Sequence, residues 1–157
     1  MSIFRLHYIG NLALDPRFPD TILSKVPDIY RPKVIEFPKD RDEIKIGRVD
    51  SDSLNDFNLE SCIYRPLITP HHASIKRTQE GEYELHDYSL NGTFVNYIRV
   101  GEAVTLKRND IICFGCYDSF GKKPGEKVTN FPWDQKYVVY LGPPEDDPFM
   151  KPENNFS

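Results

Sequence analysis

The chain has 157 residues, 39% hydrophobic and 13% aromatic, with 20 Lys and Arg against 24 Asp and Glu. About 150 residues is the size of one domain, and such a chain buries roughly 68–70% of its unfolded surface without a disulfide or metal staple. A net charge of −4 argues against a general electrostatic grip on DNA or RNA, and the composition argues against wholesale disorder.

The opening Met1-Ser-Ile-Phe-Arg-Leu-His is interrupted by charge before an apolar run of about 7–15 residues, as a secretory signal needs, can develop. No stretch reaches the roughly 18 apolar residues of a membrane helix. Three cysteines, a small and odd number, suit a reducing compartment. The expectation is a soluble, intracellular protein that touches neither membrane nor nucleic acid.

Short apolar runs recur about every 8–12 residues, divided by Gly, Pro, Asn and Asp, which is the spacing of an all-β sandwich or barrel. In chain order the predicted strands are Ile3–Ile9, Val34–Phe37, Ile44–Arg48, Phe57–Leu59, His72–Lys76, Glu82–Asp87, Thr93–Asn96, Ala103–Leu106, Asp110–Phe114 and Tyr137–Leu141. Within Glu82–His86 the apolar Tyr83 and Leu85 alternate with polar residues, as a half-buried strand requires. Sustained 3.6-residue periodicity is absent. The segment 10–33 carries Pro16, Pro19, Pro27 and Pro32 and is expected to be irregular yet not floppy. The segment 117–135 is a second long connection, in which Phe131 and Trp133 call for some packing. From Pro143 the sequence reads as an acidic, Pro-rich tail or linker, which makes 1–142 the domain and 143–157 the appendage. Removing Lys151 and the acids Glu145, Asp146, Asp147 and Glu153 leaves 19 basic and 20 acidic residues, so the domain itself is nearly neutral.

Three polar clusters stand at expected strand ends: Ile46-Gly47-Arg48; Thr69-Pro-His71-His72; and Asp87-Tyr-Ser-Leu-Asn91-Gly92-Thr93, continuing to Asn96. In a sandwich such loops gather at one of two rims. Sharing a rim, they would offer a guanidinium, a hydroxyl, a carboxamide and an imidazole, which makes a poor acid–base catalyst but a suitable oxyanion receptor. Arg presents a planar fork that matches phosphate, a Thr hydroxyl donates to a third oxygen, and Asn can both donate to and accept from an extended peptide.

Together with Asp110-Ile-Ile-Cys-Phe114-Gly115, these clusters resemble the forkhead-associated (FHA) domain signature: Gly-Arg, Ser-x-x-His, Ser-x-Asn-Gly-Thr-x-x-Asn, then Asp-x-Ile-x-Phe-Gly. The match is firm from Ile44 to Gly115. The family is among the readers of phosphorylated motifs. The resemblance implies a β-sandwich of two mostly antiparallel sheets with about 10–11 strands and binding loops at one rim. It implies that Arg48 and Thr69 hold the phosphate of a phosphothreonine and that Asn91 grips the ligand main chain. Gly47, His72 and Gly92 would support the site, and Asn96 would tie neighbouring loops. The partner would be a threonine-phosphorylated protein in nucleus or cytoplasm, with the nucleus favoured, and neither enzyme activity nor a cofactor is implied.

Two positions depart from the family pattern. Pro70 has no N–H and no side-chain donor where the family often has Arg, Lys or Asn. Leu90 stands where a Ser or Thr is common. His71, if cationic, would compensate as a third phosphate ligand. These departures also feed a rival reading, a phospho-independent interaction or self-association domain on the same fold. Cys113-Phe-Gly-Cys116 has C-x-x-C spacing, but a zinc site needs four ligands and Asp110–Phe114 alternates as a strand, so no metal or redox role is expected. Asn91-Gly-Thr93 also fits a glycosylation acceptor, which is set aside for want of a secretory signal. A Cys–His hydrolase has no supporting spacing.

Overall fold

Strands form where the sequence alternates. The computed structural model describes residues 2–10, 27–50, 54–116, 123–128 and 133–150. Among these are β1 (Ile3–Tyr8), β2 (Val34–Glu36), β3 (Glu43–Gly47), β4 (Phe57–Asn58) and β5 (Ala73–Arg77). They are followed by β6 (Tyr83–Asp87), β7 (Thr93–Val95), β8 (Ile98–Arg99), β9 (Ala103–Thr105), β10 (Ile111–Phe114) and β11 (Lys136–Gly142). In β3, Ile44 and Ile46 are buried while Lys45 is exposed; in β6, Tyr83 and Leu85 turn inward and Glu84 and His86 do not. This period of two is what a sheet with one face on the core demands.

The strands make two sheets, one in the order β2-β1-β11-β10-β7-β8 and one in the order β4-β3-β5-β6-β9. Every pairing is antiparallel except β3 with β4. The fold is therefore the expected all-β sandwich. Between the sheets lie Phe4, Leu6, Ile35, Ile44, Ile46, Ile75, Leu85, Ile112, Phe114, Tyr137 and Val139, in a single cluster. Phe4 stacks on Tyr83 with ring centroids 4.6 Å apart and so joins β1 of one sheet to β6 of the other. Burial of this kind contributes roughly 1.5–3 kcal/mol per large apolar side chain and is the main force holding the layers together.

A smaller apolar cluster sits outside this core. Phe94 of β7 and Cys113 of β10 lie directly opposite each other in the register, and Cys116, Val128 and Trp133 cover them. Trp133 is thus packed, as expected, and its ring lies 5.4 Å from Phe94; Phe131 falls outside the described residues. Cys113 stands on a strand, where burial pushes its thiol above the ordinary range.

The described part of the 10–33 segment has a 3₁₀ turn at Asp28–Tyr30, and Tyr30 O accepts from Glu60 N–H and Gln135 Nε2. Pro16 and Pro19 fall outside the described residues. Beyond β11 the chain continues along the sandwich past Pro143. Two 3₁₀ turns, Pro144–Asp146 and Pro148–Met150, bring it back over β1. There the buried Asp147 accepts from His7 Nε2 at 2.7 Å and from Arg5 Nη1 at 3.1 Å, and Phe149 stacks on the His7 ring at 4.8 Å. No helix among the described residues is long and apolar enough to cross a membrane.

Candidate functional site

The strand register sets which loops meet. β3 ends where β5 begins, with Ile46 opposite Ala73; Ala73 in turn faces Asp87 at the end of β6; and Phe114 at the end of β10 faces Thr93 at the start of β7. Arg48, the segment 66–72 and the segment 87–93 therefore share one rim. A single run of hydrogen bonds stitches them together. Arg48 N–H donates to Thr69 O at 3.1 Å, and Arg48 Nε donates to Ile68 O at 2.9 Å. Thr69 Oγ1 accepts from Leu90 N–H at 3.1 Å, and Asn91 Nδ2 donates to Pro66 O at 2.9 Å. The guanidinium, hydroxyl and carboxamide singled out in the sequence are thus neighbours on adjoining loops.

His72 braces this rim from below. It is fully buried, its Nδ1 accepts from Thr69 N–H at 3.0 Å, and its Nε2 lies 3.0 Å from Gly92 O. A backbone N–H can only donate and a carbonyl can only accept, so the ring is neutral with its proton on Nε2. Burial lowers its pKa to about 4, outweighing the nearby Asp87 carboxylate. Protonating Nδ1 would cost the bond to Thr69 and loosen the loop that carries the hydroxyl.

Gly47 has a steric reason. A Cβ there would come within 2.1 Å of Pro70 O, so any side chain would push the 69–72 loop off β3. Gly92 holds φ +86° at the tip of the third loop, where a Cβ would also meet the Phe94 ring at 2.8 Å. His71 lies on the same rim, exposed, with its ring stacked on Tyr88 at 4.4 Å. Asn96 does not lie there. It follows β7 at the opposite end, where Nδ2 donates to Asp110 Oδ1 at 3.0 Å and Oδ1 accepts from Ile111 N–H at 3.0 Å. It joins the loops of the far rim, because β7 runs from one rim toward the other between Asn91 and Asn96.

Several residues that shape the rim have no role in the sequence reading. Asp87 Oδ1 accepts from Ser89 N–H, Ser89 Oγ and Thr93 Oγ1 at 3.1, 2.7 and 2.9 Å, which closes the loop bearing Asn91. The Asp-x-Ser pattern at a strand end is a recognisable Asx-turn signal. Asn55 Nδ2 bridges Arg48 O and Pro70 O at 3.2 and 2.7 Å, and no local pattern marks it. Asp134 accepts from Ser61 Oγ and from Cys62 N–H at 3.1 and 2.6 Å, fixing the start of the segment that leads to Thr69; burial raises its pKa against these bonds.

Residues 44–115 match the FHA domain family. No curated protein matches the chain. Solved structures do. The FHA domain of the CT664 protein from Chlamydia trachomatis is 14% identical with a TM-score of 0.53, over 87% of this chain and 95% of that one. The N-terminal FHA domain of Rad53p from S. cerevisiae, solved in complex with a phosphothreonine peptide, is 16% identical with a TM-score of 0.51, over 89% and 94%. Mycobacterium tuberculosis EmbR, solved with a phosphopeptide, is 20% identical with a TM-score of 0.49, and the match spans 89% of this chain but only 24% of EmbR. At 14% and 16% identity, the likeness to the CT664 and Rad53p domains is one of fold.

Proposed function

Through residues 44–115 the chain belongs to the FHA domain family, and we propose from this premise that it is a non-enzymatic module that recruits a partner protein by a phosphothreonine. The observation that carries the reading is the hydrogen-bonded run from Arg48 through Thr69 to Leu90 and Asn91. The Arg48 guanidinium, anchored through Nε on Ile68 O, is the proposed cationic ligand of the phosphate. Thr69 Oγ1 already accepts from Leu90 N–H, so its own proton is the one to donate to a phosphate oxygen. Asn91, whose Nδ2 donates to Pro66 O, is the residue proposed to hold the partner's main chain. His71, on the Tyr88 ring beside Thr69, is the third phosphate ligand proposed.

Phosphorylation gives a threonine about −1.5 to −2 charge and three strong acceptors, so discrimination from the unmodified residue rests on charge-assisted hydrogen bonds. The recognition unit proposed runs from β1 to β11, with 143–150 as its closing strap. The test is calorimetry with the best binder from an oriented phosphothreonine peptide library and its unphosphorylated twin. Arg48→Ala is expected to keep the fold and weaken the phosphorylated peptide about 10- to 150-fold, the ratio that one hydrogen bond to a charged group supports. Equal affinity of wild type for the two peptides would instead favour phospho-independent association.

A further inference from the structure

The rim carries more than polar groups. Leu90 is 81% exposed, yet its backbone is held on both sides: its N–H donates to Thr69 Oγ1 and its carbonyl accepts from Arg99 Nη2 at 3.5 Å. Tyr88 is 45% exposed; its N–H donates to His72 O at 2.9 Å and its ring lies against His71. Between them Ser89 turns its hydroxyl inward to Asp87. The loop therefore points residues 88 and 90 outward and residue 89 inward, and it does so on a pinned backbone. A single exposed leucine would mean little, since scattered apolar side chains are normal on a surface. Here Leu90, Tyr88 and His71 stand on one rim, all within a few residues of Thr69 or Asn91.

We propose that the partner's phosphothreonine has a large aliphatic or aromatic neighbour within two residues, which packs on the apolar collar of Leu90 and Tyr88. The inference rests on the phosphothreonine reading above and names the class of partner. An extended peptide advances about 3.2–3.4 Å per residue. Leu90 N is 3.1 Å from Thr69 Oγ1, so a phosphate seated at Thr69 brings residues one or two away within reach of Leu90. The collar also accounts for the departure at Leu90. Leu90 lacks a side-chain donor for phosphate, and in exchange it gives the rim an apolar contact surface. Affinity is then divided between an anionic anchor and an adjacent hydrophobic one.

The experiment uses the full chain and a matched set of phosphothreonine peptides. Residues within two of the phosphothreonine are all Ala in one series, and carry a single Leu or Tyr in the other. Each peptide is also made unphosphorylated, and binding is followed by fluorescence anisotropy. Wild type is expected to prefer the best apolar-flanked peptide about five- to tenfold, the ratio that burying roughly 40–55 Å² of apolar surface gives. Leu90→Ser and Tyr88→Ser each reduce that preference at least twofold while phosphorylation still strengthens binding. Both side chains are exposed, and circular dichroism checks that the fold persists. Indistinguishable binding of the two series by wild type, or an undiminished preference in both variants, overturns the collar and leaves the phosphothreonine reading standing. Indifference of wild type to phosphorylation overturns both.

Discussion

His72 touches two loops at once, accepting from Thr69 N–H and donating to Gly92 O, and it can do so only as a neutral ring. Its pKa, lowered by burial to about 4, makes it a source of pH dependence. The unfolded chain takes up this proton near the ordinary histidine value of about 6.5, and the native chain does not until about pH 4. Stability from His72 is therefore complete above about pH 6.5 and is lost as the pH falls toward 4, with a slope approaching about 1.4 kcal/mol per pH unit. An NMR titration of the ring is expected to show a neutral tautomer down to pH 5. A measured pKa at or above the ordinary histidine value would show that the ring is not buried between two loops. Gly47 belongs to the same scale. That it is a glycine is visible in the sequence, whereas the carbonyl of Pro70 that forbids a Cβ there arrives from 23 residues away.

At the scale of elements, the legible features are those that repeat. Ile44 and Ile46 in β3, or Tyr83 and Leu85 in β6, alternate with polar neighbours, and their strands lie close to where the sequence places them. β8 is not legible, because two residues cannot display a period; it exists because Phe94 and Val95 pair with Arg99 and Ile98, and because the 125–128 segment bonds to its other edge. The same contrast divides the site. Arg48, Thr69 and Asn91 can be read from motif spacing, and the register of β3, β5 and β7 brings their loops together. Asn55 cannot, since its two partners are Arg48 O and Pro70 O and a backbone carbonyl leaves no trace in residue type. Asp87 lies between these cases. It holds the 88–93 loop by three hydrogen bonds, so Asp87→Ala is expected to remove all three and leave Ser89 N–H and Thr93 Oγ1 without this acceptor. A loss of about 1–3 kcal/mol in urea unfolding follows from the orphaned groups, with faster hydrogen exchange in the 88–93 backbone. Unchanged exchange there would mean that the strand ends alone set the loop.

At the scale of the whole molecule, the segment after β11 matters most. Acid and proline after Pro143 look like a solvated linker, because composition records no tertiary partner. The structure instead places Asp147 against Arg5 and His7, in the middle of β1, with Phe149 N–H donating to its other oxygen at 3.0 Å. Burial alone would raise this carboxyl, but hydrogen bonds from His7, the Phe149 N–H and Arg5 outweigh it and hold the pKa below the ordinary value. A depressed acid adds stability above its unfolded pKa and loses it as the pH falls, so this contribution fades from about pH 4 downward, below the window in which His72 acts. Breaking a buried ion pair costs about 3–5 kcal/mol, and the low end applies here because Arg5 keeps its second partner, Glu36, at 2.6 Å. Asp147→Ala is thus expected to lose about 3 kcal/mol of unfolding free energy at neutral pH. A chain stopped at Gly142 should lose at least as much, since it forfeits the Phe149 stack on His7 as well. Both are compared with the full chain by urea denaturation. If the shortened chain unfolds at the same midpoint and slope, the strap contributes nothing and the domain closes with β11, as its sequence suggests; if it loses stability while Asp147→Ala does not, the apolar contacts of Phe149 hold the strap and the buried carboxylate is incidental.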